Sequence, residues 1–182
     1  RSGSVIVGNS DQNVSLDLYG GNSSDSVTAL YGTTFKNITG AINSGNDSDH
    51  KFLSCSFVQC SQFDPVGAPV IRDCTFAETV STEAAVIWNS NINIQDSSFI
   101  ANTLGAGMEH PDQGSFSYTG LVFSGNTYDI LYSDAASSGV LTINADADTT
   151  VSNYEITNPT DDWTNQIKTN TEWNKLDKQE AA

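Results

Sequence analysis

Asp73 and Asp96 stand 23 positions apart, each three residues before a phenylalanine, Phe76 and Phe99. If the chain folds those positions together, two carboxylates meet. Such a pair can share a proton, bind a cation, or cleave a glycosidic bond, for which retaining enzymes hold carboxyls about 5 Å apart. Glu109 and His110 place an acid beside a base in what reads as a long loop, Glu109 to Ser117, although neighbours on a strand face opposite ways. Asp47 with Asp49, and Asp146 with Asp148, space oxygen ligands for a hard cation such as Ca²⁺, the one cofactor the sequence suggests. Neither run has the glycine and distant glutamate of a calcium loop. Trp88, Tyr118, Tyr128 and Tyr132 are rings able to stack on sugar faces.

Each set has a plainer reading. Aspartate also bends a chain and bonds its own backbone. The other residues three before the recurring phenylalanine are Gly32, Ser54 and Gly120, all turn-formers, which favours bending for Asp73 and Asp96. Acidic runs are usually solvated turns, a loop histidine usually a surface residue, and tyrosines in a thin core usually packing. No nucleophile elbow, phosphate loop, dinucleotide fingerprint or zinc spacing occurs.

What must position these residues is a repeat. Leu30 to Phe35, Phe52 to Phe57, Ile71 to Phe76, Ile94 to Phe99 and Tyr118 to Phe123 share one pattern: an apolar start, a small residue two before the end, a closing Phe. The closing residues lie 22, 19, 23 and 24 apart, and a period in that range marks a repeat architecture. Each phrase reads as a six-residue strand. Stacked in parallel, equivalent positions form columns about 4.8 Å apart. Phe35, Phe57, Phe76, Phe99 and Phe123 make an inward aromatic column. Thr33, Cys55, Cys74, Ser97 and Leu121 line up two before it. Ile38, Cys60, Thr79, Asn102 and Asn126 line up three after it, where the chain is expected to bend and asparagines to bond one another. Shorter second strands follow at 40–42, 85–88, 106–108 and 129–132.

The phrase Ile71-Arg72-Asp73-Cys74-Thr75-Phe76, with Asn102 and Asn126 three residues past Phe99 and Phe123, resembles the right-handed β-helix repeat of the pectin-lyase-like superfamily. The stretch from Ala106 to Tyr128 is similar to repeats of bacteriophage virion and tail proteins. The resemblance spans about 28–158. It implies an all-β chain: a single right-handed parallel β-helix, a solenoid of about seven coils. Members of that superfamily include lyases, hydrolases, adhesins and phage tail proteins, so fold alone does not choose among them.

Charge narrows the choice. Seven basic and 22 acidic residues give −15. Phosphate recognition needs a basic face, so nucleic acid is excluded as a partner. No apolar stretch reaches 18 residues, and no membrane insertion is expected. Carbohydrate-active β-helices generally add long loops and basic residues that grip acidic sugars. The favoured expectation is therefore a non-enzymatic structural or adhesive module, extracellular or on a virion, in a tail or capsid appendage. Its partners would be other subunits, as in a homotrimer, or surface glycans. The rival is a polysaccharide lyase, hydrolase or carbohydrate-binding module. An ice-binding face would need sustained outward threonine rows, which Thr34, Ser56, Thr75 and Ser98 do not supply.

Residues 1–29 read as a degenerate N-terminal coil or cap, 30–158 as the solenoid, and 159–182 as a cap or docking tail. Trp163 with Ile167, and Trp173 with Leu176, have helical spacing, so the tail is predicted to be partly helical. Cys55 and Cys74 share a column in adjacent coils, within disulfide reach or simply as buried thiols.

Overall fold

The computed structural model describes residues 3–9, 13–17, 29–43, 50–65, 67–89, 92–111, 114–133, 141–149, 151, 154–156, 166–169 and 172–173. All regular structure among them is β. The first rung supplies β1 (Val5–Val7) and β2 (Leu16–Asp17). Two three-stranded turns follow, β3 (Ala29–Tyr31), β4 (Thr34–Lys36) and β5 (Ile42–Asn43), then β6 (Lys51–Leu53), β7 (Ser56–Val58) and β8 (Phe63–Asp64). Two more comprise β9 (Val70–Arg72), β10 (Thr75–Ala77) and β11 (Ala84–Ile87), then β12 (Asn93–Gln95), β13 (Ser98–Ile100) and β14 (Ala106–His110). Next come β15 (Gly114–Tyr118), β16 (Val122–Ser124) and β17 (Tyr128–Tyr132). The last are β18 (Leu141–Ala145), β19 (Tyr154–Ile156), β20 (Gln166–Thr169) and β21 (Glu172–Trp173).

Every third strand pairs, in parallel, with its equivalent one turn away. One sheet runs β1-β4-β7-β10-β13-β16, a second β2-β5-β8-β11-β14-β17-β19, and a third β3-β6-β9-β12. The third face continues through Thr119, bridged to Gln95, into a sheet of β15-β18-β20-β21. This is a parallel β-solenoid. About seven coils are expected, yet among the described residues about four turns close on all three faces.

Phe35, Phe57, Phe76, Phe99 and Phe123 are register partners. Their rings stack at 4.7, 4.8, 5.2 and 5.0 Å, within 14° of parallel. Hydrogen bonding between rungs fixes that spacing, and offset ring stacking suits it.

The recurrent phrase is not one strand. A left-handed residue breaks it three positions before the phenylalanine: Gly32, Ser54, Asp73, Asp96 and Gly120 all have φ between 49° and 62°. Thus Leu30-Tyr31 lies on one face and Thr34-Phe35 on the next. A second left-handed column lies two after the phenylalanine, at Asn37, Gln59, Glu78, Ala101 and Gly125. The column three after it, expected to make this bend, instead turns into the core. Asn102 is fully buried there. Its Nδ2 donates to Phe76 O at 3.2 Å and to Asn126 Oδ1 at 2.9 Å, and its Oδ1 accepts from Thr79 N–H at 3.0 Å. Stacked amides do bond one another, but as the lining of the corner.

Val5–Val7 and Leu16–Asp17 form strands of a first coil. Val5, Ile6 and Val7 pair with Thr34, Phe35 and Lys36, and a Cβ on Gly3 would strike Gly32 O. At the other end the predicted helices are absent wherever the tail is described. β20 extends the last sheet in parallel, and β21 folds back antiparallel on it. The open edge of β18 offers main-chain hydrogen bonds that a short helix could not use. Trp163 and Leu176 lie outside the described residues.

The rod also widens. Strands on the third face have three residues up to β12, but β15 and β18 have five, as do β14 and β17. Larger side chains fill the extra width.

Candidate functional site

Asp73 and Asp96 are both exposed, one rung apart, each holding a left-handed corner. Their backbone N–H groups donate to Gln95 O at 3.3 Å and Thr119 O at 2.9 Å, linking each corner to the next rung. Arg72 reaches up to the rung of Asp96. Its Nε lies 3.9 Å from Asp96 Oδ2, and its Nη2 donates to Gln95 Oε1. Both side chains of that ion pair are about half exposed, so it contributes little to stability. A Cβ on Gly120, the next corner, would strike Asp96 Oδ1. These carboxylates shape and screen a turn.

Glu109 and His110 lie on β14, not in a loop, and both are buried. β14 runs to His110 and β15 starts at Gly114, inside the stretch expected to be a long loop. The two side chains face opposite ways, as alternation requires. His110 is 0% exposed. Its Nδ1 sits 3.0 Å from Trp88 O, which only accepts, so Nδ1 carries the proton. Nε2 then accepts from the Tyr118 hydroxyl at 2.6 Å. That oxygen also touches Met108 Sδ at 3.3 Å, a polarisable contact, since its one hydrogen is already used. Burial pushes His110 down to about 3, opposed by the Trp88 carbonyl, and raises the Tyr118 phenol well above its usual range. A neutral histidine this deep is a structural joint.

Trp88 closes the same cluster. Its ring stacks on Tyr118 at 5.2 Å and meets Phe116 edge-on at 5.7 Å, and its Nε1 donates to Ile92 O at 3.0 Å. Trp88, Tyr118 and Tyr132 are buried, so these three rings cannot form a sugar-stacking face. Tyr128 is half-buried and packs near Ala84, Ala106 and Leu131. The other histidine, His50, is also buried rather than on the surface, edge-on to Phe52 at 6.4 Å.

Glu109 gathers residues that the sequence did not point to. Gln62 Nε2 donates to its Oε2 at 2.7 Å, and Ser133 Oγ donates to its Oε1 at 2.5 Å, tying rungs below and above. Asp64 is raised, first by burial and then by the charge of Glu109. Gln62, Asp64 and Ser133 are scattered along the chain, and no local motif announces them.

Asp146 has a defined task. Its Oδ2 accepts from Gly120 N–H at 2.9 Å and its Oδ1 from Thr149 Oγ1 at 2.7 Å, while Thr149 Oγ1 accepts from Leu121 N–H at 3.0 Å. In lower turns the equivalent corner N–H goes to a main-chain carbonyl of the next rung: Gly32 to Leu53 O, Ser54 to Arg72 O. Asp146 and Thr149 therefore finish a ladder with side-chain oxygens. The Thr149 bond, joined by backbone donors, holds the Asp146 carboxyl below its usual range against the opposing effect of burial. The spacing Asp-x-x-Thr is the signal that could have revealed this turn. Asp148 is exposed beside it, and Asp47 and Asp49 lie outside the described residues. Among the described residues no three His, Cys, Asp or Glu side chains converge as metal ligands.

The cysteines are free and buried. Cys55 Sγ–H donates to Leu30 O at 3.5 Å and Cys74 Sγ–H to Phe52 O at 3.3 Å, each reaching one rung down. Cys60 bonds Phe35 O at 3.4 Å in the other corner column. Burial raises the Cys60 thiol above its usual range. Small polar residues in these columns thus tie each corner to the rung beneath.

Compared with known protein families, with curated proteins and with solved structures, the chain matches none.

Proposed function

We propose that this chain is a non-enzymatic structural or adhesive module of an extracellular assembly, of the kind carried on a phage virion as a tail or capsid appendage. One observation carries the reading: the described side chains best suited to chemistry are already engaged in holding the rod. Asp73 and Asp96 make corners, Asp146 ends a ladder, Glu109 is bridged by Gln62 and Ser133, and His110 and Tyr118 bond each other in the core. A charge of −15 suits a soluble surface component that stays apart from its neighbours. The likeness of its repeat to virion β-helices points the same way.

A panel of polysaccharides, read for both retention and release of reducing ends, tests the proposal. The expected result is no release with any substrate, and retention of a glycan would mark the module as adhesive. Release that disappears in an Asp73→Asn or Asp96→Asn variant would overturn the proposal and make the chain a polysaccharide-cleaving enzyme.

A further inference from the structure

We propose that Asn13 and Asn37 accept N-linked glycans, which makes one corner of the rod a glycosylated surface when the chain passes through a eukaryotic secretory pathway. An asparagine two residues before Ser or Thr, with no proline between, is the acceptor signal. Of the seventeen asparagines, six lie in 1–46 and eleven beyond. Four of the six carry the signal, Asn13, Asn22, Asn37 and Asn46, and none of the eleven does, although Ser and Thr run along the whole chain. Chance would scatter such signals with the asparagines, so the cluster needs a reason. Asn22 and Asn46 lie outside the described residues.

The fold separates two kinds of asparagine. Asn102 and Asn126 line a corner from within, where each amide donates to main chain and one bonds the other. Their second neighbours are Leu104 and Tyr128, so neither carries the signal. A glycan there would have to enter the core. Asn37 instead holds the left-handed column two after the phenylalanine, where side chains leave the rod. It is half-buried, and its side-chain amide bonds nothing among the described residues. Its neighbours leave room. Below it stands Gly8, which has no side chain and could not carry one, since a Cβ there would strike Asn37 O. Above it Gln59 turns away, donating to Glu78 Oε2 at 2.9 Å. Asn13 is exposed beside Val14, whose carbonyl takes the Gly40 N–H at 2.8 Å. The two acceptors therefore stand on adjacent rungs at one corner.

In the transfer, Asn Nδ2 attacks the anomeric carbon of a lipid-pyrophosphate-linked oligosaccharide on its transferase. A carbon–nitrogen bond forms, the bond from that carbon to the pyrophosphate oxygen breaks, the lipid pyrophosphate leaves, and Nδ2 gives up one proton. Transfer precedes folding, so the sequence supplies the acceptor and the fold decides whether the glycan is tolerated. Glycans are bulky and well hydrated, so subunits and ligands must meet the rod away from this corner. The inference goes beyond the proposed role, requires only that the chain is exported, and its failure leaves that role standing.

The whole chain secreted from cultured animal cells tests it, with glycans removed by peptide-N-glycosidase in heavy-oxygen water and the converted residues mapped by mass spectrometry. Label is expected on both Asn13 and Asn37. Thr39→Ala leaves Asn37 in place and is expected to lose the Asn37 glycan alone, and Ser15→Ala the Asn13 glycan alone. The glycosylated chain is expected to melt no lower than the enzymatically stripped one. Leu104→Thr alters an exposed side chain but gives Asn102 the signal, and is expected to yield no secreted chain with a glycan on Asn102. Asn13 or Asn37 without a glycan, retention of the unaltered chain in the cell, a melting temperature lowered by the glycans, or secreted Leu104→Thr carrying a glycan on Asn102 would each overturn the inference.

Discussion

Phe76→Ala removes the middle ring of the core column. Phe76 is buried and stacks on Phe57 at 4.8 Å and on Phe99 at 5.2 Å. Truncating a buried phenylalanine to alanine costs about 3–5 kcal/mol, more where the walls cannot collapse. Here they cannot, because the rungs above and below are held at their spacing by main-chain hydrogen bonds on all three faces. Three stacked-ring contacts are lost as well, with Phe57, Phe99 and, at 6.2 Å, Phe63, each worth about 0.5–1.5 kcal/mol beyond area burial. The expected cost is therefore at the upper end, about 5 kcal/mol, against a total of about 5–15 kcal/mol for a typical domain. Phe123 ends the column, is only partly buried, stacks on Phe99 and meets Tyr118 only at a tilt, 6.1 Å away, so Phe123→Ala should cost about half as much. Urea titration followed by circular dichroism measures both, with the slope checked for constancy so that midpoints report stability. If Phe76→Ala costs no more than Phe123→Ala, or less than about 2 kcal/mol, the rings are not a cooperative column and the reasoning fails.

Asn102→Leu fills the corner but leaves Thr79 N–H and Phe76 O without their amide partner. A loss of about 2–4 kcal/mol by denaturation, with faster hydrogen exchange at Thr79, is expected. His110 is held neutral, down to about 3 from an ordinary 6.5. The unfolded chain takes up a proton there first, so stability from this residue is full above pH 6.5 and falls as pH drops toward about 3. The slope approaches 1.4 kcal/mol per pH unit. His110→Gln should flatten that limb in melting curves recorded across pH, whereas an unchanged slope would place the acid lability elsewhere.

The sequence carried the core more clearly than the corners. The phenylalanine column is legible because one residue type recurs wherever a ring must stack. The corner three before it is legible too, since glycine, serine and aspartate tolerate positive φ. The corner two after it is not. Asn37, Gln59, Glu78, Ala101 and Gly125 share a conformation and no chemistry, because their side chains leave the rod and neighbouring rungs impose the turn. Asn102 drew the bend one position too far, since an asparagine that bonds inward has the same letter as one that turns. Glu109 and His110 pass for loop residues because polar residues rarely fill a core, and no motif links them to their partners Gln62, Ser133, Trp88 and Tyr118. Val5-Ile6-Val7 reads as a strand outside the repeat because isoleucine stands where the column has phenylalanine. Trp163 and Ile167 suggest a helix by spacing alone, yet Gln166–Thr169 joins a sheet whose edge was waiting.

The three faces share one hydrogen-bond direction, along the rod axis, while the polypeptide winds across it. Tension applied end to end therefore loads the ladders in series, and the molecule should yield by peeling single rungs at modest force. A crushing load across the width instead meets covalent main chain braced by stacked rings, which barely stretches. The rod is mechanically anisotropic, a post that resists being squeezed across its width more readily than being pulled apart or bent.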